Sequence, residues 1–396
     1  MTAMRNTILA LGLTLLTLAA GLARAADANL GGAADIQANA TASNQEAGAA
    51  CCQEGSGAVM GLSPNDFCHD PGCRYSGQPG CLEADPIFSE FAPQFQDLCE
   101  RCAGCCWRFD ASALYMHRPD PTPTTLLTDN GTGATLLNAV NMDFPWKVGP
   151  RFAFIVTDCE GLGLELNYFN IDGWSSTRNF TSADFSAGVA NLIVDGAGNQ
   201  EQVTNANIDI TSMLESSEIN LRQHLFGNNN LDGLIGFRWI DMNDLYTAQG
   251  ASNTVTGSTV MESIRTHNHL FGLQSGLDGT IFSRGEYFQL RGYIKGGCML
   301  DNANAATSLS GGALGSLAAS DSLCHISCFG EAGLTGYIEI DKHVSISFGY
   351  QAMYISNAAQ PVNQMSQTNL VAGTTLIDLG SSLAYQGVNL GMEVAW

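Results

Sequence analysis

The chain ends in GVNLGMEVAW, residues 387–396, and this stretch decides the fold. Successive side chains of a β-strand point to opposite faces. One face of the segment carries Val388, Leu390, Met392, Val394 and Trp396. The other face carries Gly387, Asn389, Gly391, Glu393 and Ala395. An apolar face toward lipid and a small or polar face toward a lumen are typical of a strand in a transmembrane β-barrel.

The same residues resemble the terminal-strand signature that the outer-membrane assembly machinery reads. The signature consists of a polar residue, a glycine two positions later, a hydrophobic residue and a terminal aromatic, here Asn389, Gly391, Val394 and Trp396. We therefore expect the barrel assembly machinery to be a partner of this chain. The alternative is a final strand that merely ends in tryptophan.

Alternation of this kind recurs upstream, from Trp107 onward. Each segment reaches or exceeds the roughly 9–11 residues that a tilted membrane strand requires. The ten segments are 107–117, 146–157, 161–173, 214–226, 231–241, 266–281, 286–300, 323–340, 343–355 and 381–396. We therefore predict an all-β fold over residues 107–396, an antiparallel transmembrane β-barrel of about ten strands. Twelve strands would be possible if a further hairpin lay within 174–213.

The connections between these segments fall into two kinds. Short turns are predicted at 158–160, 227–230, 282–285 and 341–342. They alternate with long loops near 118–145, 174–213, 242–265, 301–322 and 356–380. Tight periplasmic turns alternating with long outer loops are typical of a bacterial barrel. This topology predicts that all five tryptophans lie near a membrane interface, with Trp107 and Trp396 at periplasmic strand ends and Trp146, Trp174 and Trp239 at outer ends.

The N-terminal quarter of the chain has a different character. Residues 1–25 combine Arg5, an apolar run over 8–20 and a small-residue motif at 23–25, which predicts a secretory signal peptide. Residues 26–50 are rich in Ala, Asn and Gly without periodicity and predict a disordered linker. Beyond the leader, no segment approaches the roughly 18 apolar residues of a membrane helix.

Nine of the 13 cysteines lie in residues 51–106 and predict a Cys-rich periplasmic segment. They are Cys51, Cys52, Cys68, Cys73, Cys81, Cys99, Cys102, Cys105 and Cys106. The two-residue gaps around Cys102 also occur in iron–sulfur and zinc sites, but the iron–sulfur run needs a further Cys before Pro. Zinc would need a fourth ligand, such as Cys81 or His69. Exported cysteines usually oxidise, so we favour disulfides and expect no cofactor. Because the chain has 13 cysteines, an odd number, at least one is unpaired within the chain or links to an envelope neighbour.

Charge and composition exclude some classes of function. The formal net charge of −22 argues against nucleic acid, whose phosphates require Lys and Arg. The content of 14% charged residues and 44 glycines fits strands that are apolar on one side only, although a large soluble β-protein would look similar.

Charged residues also occur on the face that alternation turns toward the lumen. They are Arg108, Arg151, Glu165, Glu218, Arg222, Arg238, Asp278, Arg291, Lys295, Glu331, Glu339 and Glu393. A ten-stranded barrel is only slightly wider than an eight-stranded one, whose side chains fill its interior. Because buried charges must be paired, we favour a salt-bridged plug over a small polar channel.

Two histidines lie two residues apart on an alternating segment, His267 and His269, and hence on one face. This spacing can hold a metal ion. Without a third ligand nearby in the sequence, we favour interfacial polar residues and predict no metal site.

Six segments together resemble the beta-barrel porin family that is abundant in planctomycetes. They are residues 217–222, 234–239, 268–274, 295–297, 330–334 and 349–354, in that family's order within residues 107–396. The resemblance implies an outer-membrane barrel of uncharacterised cargo with no catalytic residues to carry over. The Cys-rich segment lies outside it.

We therefore expect a barrel in the cell outer membrane, in contact with outer-membrane lipid and without enzymatic activity. Its role would be porin-like passage of small polar solutes, or structural anchoring if the lumen is plugged. Two alternatives remain. One is a barrel enzyme at the outer rim, with Asp241, Asp244 and His267 as candidates. The other is a secreted, disulfide-linked β-rich matrix or adhesion protein.

Overall fold

A computed structural model describes residues 106–158, 161–225, 231–284 and 287–396 of the protein. Fourteen strands, one α-helix and two short 3-10 helices are present in these ranges, and the strands and the α-helix are labelled here. They are β1 (Cys106–His117), β2 (Thr125–Asp129), β3 (Thr135–Asn138), β4 (Lys147–Thr157), β5 (Leu162–Phe180), β6 (Ala190–Ile193), β7 (Gln200–Val203), β8 (Ala206–His224), β9 (Leu231–Ala251), β10 (Thr259–Arg284), β11 (Phe288–Ser310), β12 (Leu317–Asp341), β13 (Val344–Ala358), α1 (Pro361–Gln367) and β14 (Ser381–Ala395).

Ten of the strands close into an antiparallel barrel, which confirms the predicted fold class. The order around the barrel is β1-β14-β13-β12-β11-β10-β9-β8-β5-β4. Closure is made by β1 and β14, where Trp107 and Trp396 exchange backbone hydrogen bonds of 2.7 and 3.0 Å. We call the end of the barrel that holds these two residues the short-turn end. The opposite end is the long-loop end. None of the helices in the described ranges is long and apolar enough to cross a membrane.

The twelve-strand alternative is wrong. The extra hairpin within 174–213 exists as β6 and β7, but these strands join β2 and β3 in a separate four-stranded sheet of order β3-β2-β6-β7. β6 and β7 have four residues each, too few for the roughly 9–11 residues of a membrane strand. We call this sheet the cap sheet, since its strands belong to the connections at the long-loop end.

The predicted loops at 242–265 and 301–322 are also wrong, because strands occupy most of both stretches. β9, β10, β11 and β12 contain 21, 26, 23 and 25 residues. Met242, Asp244, Tyr246 and Ala248 alternate inward from β9 and are buried. These small and mixed side chains hide the strand pattern in the sequence. The barrel wall therefore continues well beyond the length that crosses a bilayer.

The outer surface of the barrel is apolar. Leu273, Leu390, Ile326 and Ile235 are 60–70% exposed there, at 70%, 64%, 62% and 61%. Monomeric soluble proteins rarely expose such a continuous apolar surface, whereas a membrane barrel presents it to lipid. The protein therefore has the surface of a barrel embedded in a bilayer.

One tryptophan contradicts the prediction that all five lie at an interface. Trp174 is fully buried and packs on Tyr385, with ring centroids 5.8 Å apart. The cause is a bulge in β5, where the register against β8 shifts between Ile171 and Trp174. Gly173 adopts a φ of +78° in this bulge. Because the extra residue reverses the alternation, Trp174 points inward like Ile171.

The interior of the barrel near the long-loop end is a hydrophobic core. Leu114, Leu214, Ile240 and Ile264 from the wall are at most 1% exposed. The cap sheet contributes to the same core with Leu127, Leu192 and Val203, and α1 contributes Val362 and Met365. The wall holds the chain before α1 through Asn268, whose side-chain amide donates to the carbonyl of Ala359 at 2.9 Å and accepts from its N–H at 2.7 Å. Apolar side chains thus occupy most of this part of the tube, which also contains the buried ion pair of Arg118 and Asp244 and the buried Glu262.

A carboxylate organises the cap. Asp129 accepts hydrogen bonds from the backbone N–H groups of Thr132 and Ser186, both at 2.8 Å. The Ser186 hydroxyl and the Thr132 hydroxyl also donate to it, and these bonds hold the pKa of Asp129 well below its usual range. The ionised carboxylate therefore links the turn after β2 to the segment before β6.

The apolar core predicts a sharp contrast between two substitutions. Ile240→Ala should lower the free energy of unfolding by about 2–5 kcal/mol, because it opens a cavity in a fully buried site. Val371→Ala, in a loop where the side chain is 60% exposed, should change it by less than about 0.5 kcal/mol. Urea unfolding in detergent, followed by tryptophan fluorescence, measures both. Equal effects would contradict a packed core at this level.

Candidate functional site

A layer of charged side chains fills the barrel interior between the hydrophobic core and the short-turn end. It surrounds a cavity of about 70 Å³. Eight of the twelve residues predicted to face the lumen line this cavity: Arg108, Arg151, Glu165, Arg222, Asp278, Arg291, Lys295 and Glu393. We call these residues and their ion-pair partners the charge layer.

Glu165 lies at the centre of the charge layer. Its side chain, on β5, is 3% exposed. The carboxylate pairs with Arg222 of β8 and with Lys295 of β11, the latter at 2.8 Å. Lys295 also lies 3.1 Å from Glu218 of β8. Because β11 stands four strands away from β5 in the barrel order, the Lys295 pair spans the lumen.

Arg222 gathers three carboxylates. Besides Glu165, it contacts Asp232 of β9 and Asp278 of β10, each at 2.7 Å. A planar guanidinium with five N–H donors can satisfy several acceptors at once, which an ammonium does less well. Its side chain is 4% exposed, so these acceptors replace the water that would otherwise solvate the charge.

A second pair spans the lumen nearer the hydrophobic core. Arg238 of β9 is fully buried and pairs with Glu331 of β12. The guanidinium also donates to the Ser216 hydroxyl at 3.0 Å and lies over the Phe329 ring, 4.9 Å from its centroid. Glu331 accepts a further hydrogen bond of 2.6 Å from the Tyr293 hydroxyl. Both members of the pair therefore have additional partners.

Other contacts complete the charge layer toward the closing strands. Arg291 of β11 pairs with Glu393 of β14 at 2.8 Å. Arg151 of β4 donates to Gln351 of β13 at 2.7 Å. Glu339 lies near the end of β12, half-buried.

These contacts leave little room for passage. A buried water needs a cavity of roughly 10–15 Å³. The cavity of about 70 Å³ therefore holds a few waters and is too small for a hydrated solute. The geometry favours the plug over the channel, since oppositely charged side chains meet across the lumen and an apolar core lies beside them.

Neutral partners of the charge layer escaped the sequence analysis, which considered charged residues alone. Asn220 donates to Glu165 at 3.2 Å, and Gln274 donates to Asn220 at 2.5 Å. Tyr293 and Gln351 belong to the same group. For Asn220, Gln274 and Tyr293 the signal was present, because each lies an even number of residues from a charged lumen-facing neighbour on its own strand. Gln351 lies on β13, which has no charged residue, and only the small and polar face of that strand indicates its inward position.

The three candidates for an outer-rim enzyme do not come together. Asp241 lies on the outer face of β9, where His267 approaches its carboxylate at 2.7 Å. Asp244 points into the barrel and pairs with the buried Arg118 at 2.9 Å. An odd separation along a strand places the two aspartates on opposite faces. The expectation that the two histidines lack a nearby third ligand is also wrong, because Asp241 contacts both His267 and His269.

The remaining predicted residues divide into two groups. Cys51, Cys52, Cys68, Cys73, Cys81, Cys99, Cys102 and Cys105 lie outside the described residues, as does the side chain of Cys106. In the terminal strand, Asn389 is buried and lines the cavity, and Val394 pairs with Phe109 of β1. Recognition of Asn389, Gly391, Val394 and Trp396 by the assembly machinery stays a prediction.

The buried pair predicts strong coupling between Arg238 and Glu331. Glu331→Met should lower the free energy of unfolding by about 3–5 kcal/mol, because it leaves the Arg238 charge buried without its main partner. The double variant Arg238→Met and Glu331→Met should recover most of that loss. Urea titration of the folded barrel in liposomes measures the free energy of unfolding of the unaltered protein, of Glu331→Met, of Arg238→Met and of the double variant, which together make up the double-mutant cycle. Additive losses in the double variant would show that the two side chains do not interact.

Comparison with solved structures finds other membrane barrels. The outer-membrane protease OmpT from Escherichia coli is 9% identical, with a TM-score of 0.38 and coverage of 74% of this chain and 97% of that one. The translocator domain of the autotransporter NalP from Neisseria meningitidis is 10% identical, with a TM-score of 0.32 and coverage of 78% and 98%. A FadL homologue from Pseudomonas aeruginosa is 8% identical, with a TM-score of 0.23 and coverage of 74% and 89%. Similarity this low carries no argument about function.

Comparison of the sequence is more specific. A search of curated proteins gives no match. The family described as "Putative beta barrel porin-7 (BBP7)" matches residues 124–396, which include nine of the ten barrel strands and the whole cap sheet. With most of its length matched in this way, the chain belongs to the beta barrel porin-7 family.

Proposed function

We propose that the protein is a closed barrel of the cell outer membrane that serves as a structural anchor. The observation that carries this proposal is the filled lumen. The charge layer, with Glu165 and Lys295 paired across it, occupies the tube on the side of the short-turn end. The hydrophobic core occupies it on the side of the long-loop end. A solute would have to displace both layers in order to pass.

The orientation follows from the general rule for bacterial barrels, in which tight turns face the periplasm and long connections face outward. The cap sheet and α1 would then lie at the cell surface. The apolar outer face argues for outer-membrane lipid as the direct partner and against a secreted matrix protein, whose surface would meet water. The planctomycete origin suggested by the resemblance stays a prediction.

What the barrel would anchor is the segment that precedes β1. Because Trp107 pairs with Trp396 at the short-turn end, the chain before residue 106 would join the barrel on the periplasmic side in this proposed orientation. The Cys-rich segment predicted there could attach to an envelope neighbour through its unpaired cysteine. The membrane barrel would then fix a disulfide-linked structure to the inner surface of the outer membrane.

Porin-like passage of small polar solutes is the competing role, and conductance separates the two. The full-length protein, inserted in a planar bilayer, should show no stable current steps. Replacing Glu165, Arg238, Lys295 and Glu331 by serine should leave it closed, because the hydrophobic core persists. Removing residues 359–379 in addition should produce steps. Steps from the unaltered protein would contradict the anchor and favour a porin.

Attachment to a neighbour has its own measurement. Envelopes separated on a non-reducing gel should show the protein in a band of higher mass that collapses to the monomer after reduction. Replacing all nine cysteines of residues 51–106 by serine should abolish that band. Replacing Cys298 and Cys328, which are exposed free thiols on the barrel wall, is the matched control and should not. A monomer under all conditions would contradict disulfide attachment.

A further inference from the structure

A carboxylate and two imidazoles meet on the outer face of the barrel, near the long-loop end. The ladder between β9 and β10 pairs His269 directly with Asp241. His267 lies two residues away on the same face, and its Nε2 is 2.7 Å from Asp241 Oδ1. The Nδ1 of His269 is 2.8 Å from the same oxygen. We call Asp241, His267 and His269 the rim triad.

We propose that the rim triad binds a divalent transition-metal ion of the zinc class. Among the described residues, these three form the one group whose potential ligand atoms all lie within 4.8 Å of one another. Zinc holds imidazole nitrogen at about 2.0–2.1 Å and carboxylate oxygen at about 2.0–2.2 Å in a tetrahedron. Adjacent ligand atoms are then roughly 3.3 Å apart. Each imidazole nitrogen therefore needs to move only about half an ångström away from the Asp241 oxygen to admit the ion.

The donor set selects the kind of ion. Two imidazoles and one carboxylate suit zinc and neighbouring transition metals, whereas calcium and magnesium prefer oxygen ligands alone. Three protein ligands leave one tetrahedral position open. The imidazoles are 34% and 42% exposed, so solvent can supply the fourth ligand. Asp241 is only 12% exposed, and its position is fixed by the strand around it.

The rim triad lies at a height on the barrel wall where an ion can reach it from water. Below it, the outer face carries the lipid-facing Phe237 and Leu273. Above it, the same face turns polar with Arg265, which is exposed. Trp239 lies directly beside the triad, as expected for an aromatic ring at a membrane interface. The site therefore lies where the apolar band ends and water begins.

One hydrogen bond to His269 competes with metal binding, and a substitution can remove it. The indole N–H of Trp239 donates to Nε2 of His269 at 3.0 Å. Indole is a donor only, so in the neutral ring the proton resides on Nδ1 and is directed at Asp241. An ion on Nδ1 would move that proton to Nε2, against the indole N–H. Loss of the indole donor should therefore strengthen metal binding.

The experiment uses the full-length protein in detergent, stripped of metal with a chelator and titrated with Co²⁺, then with Zn²⁺ in competition. We expect one Co²⁺ per chain at a site that lacks sulfur-to-metal charge-transfer absorption and is emptied by Zn²⁺. His267→Ala and His269→Ala should each weaken binding by about tenfold or more, at least the loss typical of changes around a metal ligand. Trp239→Phe should tighten it.

His117→Ala is the matched control, because His117 also lies on the outer face beside an interfacial tryptophan, with ring centroids 5.4 Å apart. Its binding should equal that of the unaltered protein. Should the alanine variants fail to fold, as judged by their mobility on a gel before and after boiling, His267→Gln keeps a donor toward Asp241 while removing the imidazole ligand.

Three results would overturn the proposal. The first is equal affinity in the unaltered protein and in the variants of His267 and His269. The second is cobalt held only with a sulfur charge-transfer band, which would place the ion on cysteine thiols, in the Cys-rich segment or at Cys298 and Cys328. The third is weaker binding after Trp239→Phe, which would mean that the indole supports the histidines and does not compete with the ion.

Discussion

The structure depends on one electrostatic constraint, that a charge inside a narrow tube must find its counter-charge within the tube. Transfer of an isolated ion from water to a low-dielectric interior costs several kcal/mol or more even after relaxation. Here the constraint is met along the wall, where Arg222 pairs with Glu165 of the neighbouring strand, and also across the lumen. Glu165 pairs with Lys295, which lies 130 residues away in the sequence. Arg238 pairs with Glu331, which lies 93 residues away. Such pairs can form only once the two halves of the sheet face each other, so they favour the closed barrel over an open sheet.

The two layers of the interior solve the same packing problem with different chemistry. Near the short-turn end, long charged side chains span a lumen that aliphatic side chains from a single wall would not fill. Near the long-loop end, the connections supply apolar groups from α1 and the cap sheet, which meet the wall at Ile240 and Leu214. Because both layers are held by contacts to several strands, displacing either one costs packing or ion pairing throughout the barrel. The filled interior therefore favours a rigid barrel over one that opens and closes.

Alternation along the strands was enough to predict the barrel and the number of its strands, and eight of the twelve residues predicted to face the lumen line the cavity. It missed the outer parts of β9, β10, β11 and β12, where small and mixed side chains hide the pattern. Three further features could not be predicted this way. The inward position of Trp174 depends on a bulge that adds one residue to β5, and only the pairing with β8 reveals it. The cap sheet is built from strands of four or five residues, which are too short for periodicity to show. The approach of Asp241 to His269 depends on the register between β9 and β10, and register is a property of two strands together.

The strands of the barrel wall are longer than a bilayer requires, so the wall extends beyond the membrane. β10 contains 26 residues, about 15 more than a bilayer requires. The apolar band ends at the rim triad, and residues 259–266 of β10 lie above it. At about 3.3 Å per residue and a tilt near 45°, these residues form a stem roughly 20 Å tall. In the proposed orientation, such a stem would raise the cap clear of the lipid headgroups on the outer side of the membrane. Antibodies, phages and proteases approaching from outside would touch the cap first, so sequence change under their pressure should concentrate there and spare the wall beneath.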